Sequence, residues 1–304
     1  MAETVVPRPS AGMAGECSGR PLWRVSGGRA LHASAPFGIM GIVNITPDSF
    51  FDGGEHSDTE RAVAHALRLR DEGADILDLG AESSRPGAPS LTAEEELRRL
   101  LPVLCRLQSS ASGTCISVDT YHAPTAEAVL RLGASVINDI SGCAYDPALL
   151  DVLAQYRPGY VLMHCQGRPA TMQKAPRYDN VRRDVLEFFD TALNRLVRAG
   201  LPEDRIALDP GIGFGKTLAH NLELLAHAEE WLGFGRPVLV GLSMKSLFGD
   251  LLGLPTSRRG AVTQTATALL WRKGVFWHRV HDVAAARQGL LVAAALHTGS
   301  ASYA

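Results

Sequence analysis

The sequence predicts an α/β protein of the (β/α)8 barrel class: a single domain with a short N-terminal hairpin. Three observations carry that expectation. A strand pattern followed by a helix pattern recurs eight times between residues 37 and 296, the arithmetic of an eight-fold barrel. The chain has 304 residues, 46% of them hydrophobic, which suits one large core and a barrel of about 250 residues. No GxGxxG follows a strand, which weighs against a doubly wound dinucleotide-binding sheet.

The elements follow in order. Residues 1–36 are expected to be a flexible leading segment, rich in Pro, Gly and Ala over residues 1–22. Within it, Trp23-Arg24-Val25 and Ala30-Leu31-His32 flank Ser26-Gly27-Gly28-Arg29. That is a hairpin pattern placed to close the bottom of the barrel. The barrel domain spans residues 37–297, and residues 298–304 are a tail. Strands are expected at residues 37–44, 74–80, 114–119, 135–140, 160–164, 205–209, 237–243 and 275–281. Helices are expected at about residues 59–72, 92–107, 124–132, 147–155, 181–199, 221–230, 261–273 and 283–296, with a short extra turn at 246–252. Thr92-Ala93-Glu94-Glu95 reads as a capping box.

The stretch GIMGIVNITPDSFFDGG, residues 38–54, shows how each unit opens. An apolar run suited to a buried strand breaks into Asn44-Ile45-Thr46-Pro47-Asp48-Ser49-Phe50. Pro47 fixes its own φ and pushes Thr46 out of the helical region. Asp48, Ser49 and the pair Gly53-Gly54 are turn formers. A buried strand feeding a polar loop is how a barrel strand opens onto its active face.

Composition excludes several classes. A formal net charge of −2 provides no global field for nucleic acid or an anionic membrane. No apolar run reaches the roughly 18 residues of a membrane span, and residues 1–19 lack the apolar region of a signal peptide. The five cysteines, Cys17, Cys105, Cys115, Cys143 and Cys165, form no CxxC pair. They are expected to be reduced core residues of a cytoplasmic protein.

Polar residues close every strand. They are Asn44; Glu82-Ser83-Ser84-Arg85-Pro86-Gly87; Asp119-Thr120; Asn138-Asp139; His164; Asp209-Pro210-Gly211; Ser243-Met244-Lys245; and Arg279-Val280-His281-Asp282. Any one of them alone reads as a helix cap or a satisfied core residue. Eight converging on one rim read as a site. Asp119, Asn138, Asp209 and Lys245 match the edge of a flat nitrogen heterocycle. Arg85, Arg279 and His281, at the outer part, suit an anion such as a phosphate. Asn44 offers oxygen to a hard cation such as Mg2+. Gly211-Ile212-Gly213-Phe214-Gly215-Lys216 is glycine-rich without the Walker pattern, a weak phosphate signal. No HExxH, Cys/His cluster or GxSxG appears, so neither zinc nor a covalent serine intermediate is expected.

In sequence order these motifs, from Asn44–Phe50 through Asp209–Phe214 and Ser243-x-Lys245 to Arg279–Val283, resemble the dihydropteroate synthase family over residues 37–296. The resemblance implies condensation of (7,8-dihydropterin-6-yl)methyl diphosphate with 4-aminobenzoate, giving 7,8-dihydropteroate and diphosphate. It implies Asp119, Lys245, Arg279 and His281 as catalytic residues. It implies substrate contacts from Phe50, Ser84, Arg85, Pro86, Asn138, Asp209, Ser243 and Val280, with Phe50 and Pro86 shaping the aminobenzoate pocket. It also implies Mg2+ on Asn44 and a homodimer. The sequence departs from the family at Ser84, where threonine is common, and at Met244, where arginine is usual. A pterin-dependent methyltransferase module and a non-catalytic paralogue are the alternatives.

Overall fold

The structure, a computed structural model, describes residues 22–33, 35–45, 54–82, 90–111 and 113–300, with only the backbone described for residues 54–57. Phe50, Ser84, Arg85 and Pro86 lie outside the described residues, as do Cys17 and the Thr46–Asp48 turn.

Apolar runs at the expected places form the strands β1 (Gly38–Asn44), β2 (Ile76–Gly80), β3 (Cys115–Asp119), β4 (Val136–Asp139), β5 (Gly159–Met163), β6 (Ile206–Asp209), β7 (Leu239–Val240) and β8 (Trp277–Val280). All pair in parallel, in the order β6-β5-β4-β3-β2-β1-β8-β7. A parallel bridge between Leu208 and Val238 joins the two ends, so the sheet closes into the expected barrel. The helices around it are α1 (Gly54–Asp71), α2 (Ala93–Ser110), α3 (Ala123–Arg131), α4 (Leu149–Tyr156), α5 (Val181–Ala199), α6 (Leu218–Ala226), α7 (Glu229–Leu232), α8 (Ser246–Leu252), α9 (Gly260–Arg272) and α10 (Val283–Thr298).

Side chains alternate between two environments along each strand, the period of a pleated sheet. One set, including Ile39, Val43, Leu77, Leu79, Ile116, Val118, Leu162 and Leu208, packs with the helices. The other, Met40, Ile76, Cys115, Val136, Val161, Ala207, Leu239 and Trp277, fills the barrel and packs against Trp23 and Val25. The hairpin therefore plugs the bottom as expected. Leu31 N donates to Trp23 O and Val25 N to Arg29 O, both at 2.8 Å. Trp23 Nε1 donates to Arg205 O at 2.9 Å, and its ring meets that of Trp277 edge-on at 5.4 Å.

Four expectations need correction. The helix expected at 221–230 is two helices: Thr217 caps His220 N and starts α6 earlier, and His227 (φ −119°, ψ 35°) leaves the helical region. The strand expected at 237–243 is two residues long. Lys245 N turns back to Leu242 O at 3.2 Å, with Met244 at φ 58°, so the chain curls off the sheet. The capping box is half formed: Thr92 accepts from Glu95 N, but the Glu95 carboxylate pairs with Arg98 and Arg99. Among the cysteines, Cys115 and Cys143 are buried, but Cys105 is exposed on α2. No helix among the described residues is long and apolar enough to cross a membrane.

Candidate active site

Period-two alternation continues upward from the apolar plug. The residue after each plug residue on the same face is Ile42, Asp78, Ser117, Asn138, Met163, Asp209, Gly241 or Arg279, and most of these are polar. They form the floor of the C-terminal mouth, the end that carries chemistry in barrels of this kind.

Arg279 stands at the centre. Its Nε donates to Asp78 Oδ2 at 2.7 Å and its Nη2 to Asp119 Oδ2 at 2.8 Å. Asp78 Oδ2 also accepts from Asn138 Nδ2 at 3.0 Å. One buried carboxylate thus orients the cation and the amide. Arg279 was expected as an outer donor, but it is pinned to the floor with its side chain 20% exposed. Burial pushes the Asp119 carboxyl up from the usual carboxylate range, and the neighbouring Arg279 charge pulls it back.

Asp209 is buried, and its Oδ1 accepts from Gly211 N at 2.7 Å. Burial raises its pKa, while Lys245 and Arg279 oppose the rise. Lys245 Nζ lies 4.0 Å from the centre of the Phe214 ring, a cation–π seat. Burial lowers its pKa to about 8. Asp119, Asn138, Asp209, Lys245 and Arg279 are therefore brought together as expected. At the rim, the Ser243 hydroxyl lies 2.9 Å from His281 Nδ1. Asn44 ends β1 beside Gly80, partly exposed. Val280 is buried among the helices rather than in the mouth. It is the outward-facing neighbour of Arg279, so it acts through packing.

The glycine-rich loop is a turn built around a buried amine, not a phosphate cradle. Lys216 is buried, and Nζ donates to Gly211 O at 2.9 Å, Phe214 O at 3.0 Å and His164 Nδ1 at 2.9 Å. The glycines permit the close approach. Gly211 has φ 65°, and a Cβ there would lie 1.9 Å from His164 O; at Gly215 it would lie 2.3 Å from Gln166 O. His164 is thus a support for this loop. Burial and the Lys216 charge hold its imidazole neutral, with a pKa of about 2.

Sequence reasoning missed Asp78 and Arg259, and took Lys216 only as the end of a glycine-rich phosphate signal. Asp78 sits inside a strand, two residues before the polar end. Inward alternation from Gly80 was the available signal. Arg259 Nη1 donates to the carbonyls of Met244 and Lys245 at 3.2 and 3.3 Å. It holds the left-handed turn at Met244 that aims Lys245, and no local pattern announces it.

Aromatic, sulfur-containing and aliphatic side chains close one wall: Tyr121, Ile140, Met163, Met172 and Phe214, with Tyr145 and Cys165 against them. At the opposite end of the barrel, a cavity of about 230 Å3 is lined by Trp23, Leu31, Arg236, Phe276 and Trp277. It lacks the carboxylates and amide of the mouth.

Residues 40–281 match the model of a family described as pterin binding enzyme. The chain is 41% identical over 256 residues to the dihydropteroate synthase of Escherichia coli (strain K12), covering 84% of this chain and 90% of that one. It is similar to the Xanthomonas albilineans dihydropteroate synthase solved with 4-aminobenzoic acid: TM-score 0.84, 43% identity, 91% and 98% of the two chains. It is likewise similar to the Yersinia pestis dihydropteroate synthase solved in a sulfonamide drug complex: TM-score 0.83, 39% identity, 90% and 98% of the two chains.

Proposed function

The chain belongs to the dihydropteroate synthase family of pterin binding enzymes, and from that premise we propose how its barrel mouth condenses (7,8-dihydropterin-6-yl)methyl diphosphate with 4-aminobenzoate. The products are 7,8-dihydropteroate and diphosphate. The observation that carries the reading is the Asp78–Arg279–Asp119 bridge with Asn138 attached to it. It supplies, on one rigid floor, acceptors and an amide for the polar edge of a pterin.

The pterin lies against Asn138, Asp119, Asp209 and Lys245, its ring facing the Met163–Phe214 wall. As the bond between the methylene carbon and the diphosphate oxygen breaks, positive charge grows on the pterin and negative charge on the leaving group. Asp119 and Asp209 face the first. Arg279 from the floor and His281 from the rim face the second, and the resemblance adds Ser84 and Arg85 as diphosphate contacts. Side chains already fixed by their neighbours need little reorganisation, which is where such stabilisation has most effect. The aromatic amine then attacks the carbon, in the pocket that the resemblance assigns to Phe50 and Pro86, and loses its proton. The route is dissociative and needs no protein nucleophile. Ser243 orients the His281 ring through its hydroxyl.

Asn44 fits Mg2+. Its amide oxygen is a single hard, neutral donor at the mouth, and this ion keeps most of its waters and bridges to phosphates. When bound, Mg2+ neutralises charge on the diphosphate.

We assign the homodimer to the α9–α10 face, where Leu269, Val292 and Leu296 are exposed, and the cytoplasm as the compartment, from the free cysteines among the described residues.

Diphosphate release, measured with and without 4-aminobenzoate, tests the function. Release that depends on the amine is expected. Tight pterin binding with no release under either condition would leave a binding protein, not a synthase.

A further inference from the structure

We propose that Glu82, Glu96 and His122 form a second metal site, for a divalent transition ion such as Mn2+, Co2+ or Zn2+, beside the pterin floor and separate from Asn44. The proposal rests on the barrel reading only in placing this group next to Asp119.

The three side chains come from three elements. Glu82 follows β2, Glu96 lies in the first turn of α2, and His122 immediately precedes α3. One ligand atom from each lies within 4.8 Å of the others. An ion with ligands at about 2.0–2.2 Å holds them roughly 3–3.5 Å apart, so modest rotations close the set. One edge is already formed: Glu96 Oε2 is 3.1 Å from His122 Nδ1.

Glu96 supplies a second, independent observation. Its side chain is 1% exposed, and its Oε1 has no hydrogen-bond partner among the described residues. A buried carboxylate oxygen left unpaired is costly, and such atoms ordinarily find a partner. Glu96 and Glu82 both line a small cavity of about 10 Å3, with Asp119, Thr120 and Tyr121 as its other polar walls. That is room for about one water-sized particle.

The surroundings are those of a ligand set. Thr120 Oγ1 donates to Glu96 Oε2 at 2.8 Å, and Tyr121 OH donates to Glu82 Oε1 at 2.9 Å. Hydroxyls that orient ligating carboxylates are a usual outer shell. Two carboxylates call for a dication. The imidazole moves the preference away from Mg2+ and Ca2+, which favour oxygen alone, toward the later first-row ions. A bound ion would cross-link the exits of β2 and β3 on the wall shared with Asp119.

The test is titration of the full chain with Co2+ alone, without pterin diphosphate or free diphosphate. Calorimetry gives the stoichiometry, and visible absorption reports an imidazole-containing ligand set. One Co2+ per chain is expected. Affinity should fall by more than about tenfold in Glu96→Gln and in His122→Ala, and stay unchanged in Asn44→Ala. If Glu96→Gln does not fold by circular dichroism, Glu82→Gln, at a half-buried position, carries the same expectation. Equal Co2+ affinity in the wild type and His122→Ala, or no binding at millimolar Co2+, would overturn the proposal. A protein that binds Co2+ here but releases no diphosphate would sink the synthase reading and leave this site standing.

Discussion

Arg279 Nε donates to Asp78 Oδ2 at 2.7 Å, joining two strands whose residues are 201 positions apart in the chain. Asp78 is fully buried and also holds Asn138. Removing one partner of a buried pair strands the other charge, at a cost of about 3 kcal/mol. Asp78→Ala is therefore expected to lower the unfolding free energy in urea by about that much and to cut turnover more than about tenfold. Wild-type turnover in this variant would mean that Arg279 needs no orienting partner.

Lys245, in the turn after β7, and Asp119, at the end of β3, face the same space. A pterin bound between them desolvates both, so truncating either leaves a donor or acceptor unpaired at about 1–3 kcal/mol. Lys245→Ala and Asp119→Ala should each weaken pterin binding by roughly ten- to a hundredfold in calorimetry. Unchanged affinity in one variant would remove that residue from the pterin contacts.

Lys216 predicts a pH dependence of stability. Burial lowers its folded pKa to about 7, whereas in the unfolded chain a lysine titrates near 10.4. Between those values the unfolded chain holds a proton that the folded chain has lost. Stability from this group therefore rises with pH, by at most about 1.4 kcal/mol per unit. Lys245, lowered to about 8, acts in the same direction. His122, whose pKa is raised chiefly by its hydrogen bond to Glu96, acts oppositely near neutrality, so the difference between two proteins is the clean measure. From pH 6.5 to 8.5 the wild type should gain on Lys216→Met by about 1–2 kcal/mol in urea unfolding. Parallel curves would show that the buried amine keeps its proton throughout.

The Yersinia pestis relative was solved with a sulfonamide, a mimic of 4-aminobenzoate. Steady-state inhibition of this protein by a sulfonamide should be competitive with 4-aminobenzoate and not with the pterin diphosphate. Competition with the pterin would place the amine pocket on the Asn138 floor instead of beside it.

Much of this was legible before any coordinates. A buried apolar strand ending in a polar residue is a local pattern, so Asn44, Asp119, Asn138, Asp209 and Arg279 could be picked one strand at a time. Helix limits were legible where the helical pattern ended cleanly, as for α5, expected and found at residues 181–199. They were not where a turn decided them, as at His227, and the same holds for the end of β7 before the turn at Met244. The Lys216 loop was misread because its glycines signal only that backbone comes close to something. That something, the carbonyls of His164 and Gln166, belongs to another strand's exit.

By itself the sequence determined the eight-fold repeat, the polar rim and the kinship those residues carry, because strand period and turn chemistry act over a few residues. The tertiary structure alone decided that Asp78 grips Arg279, that Lys216 turns inward, and that Glu82, Glu96 and His122 meet. Those contacts depend on barrel closure and on the stagger between neighbouring strands. Both arise only when the whole ring is packed.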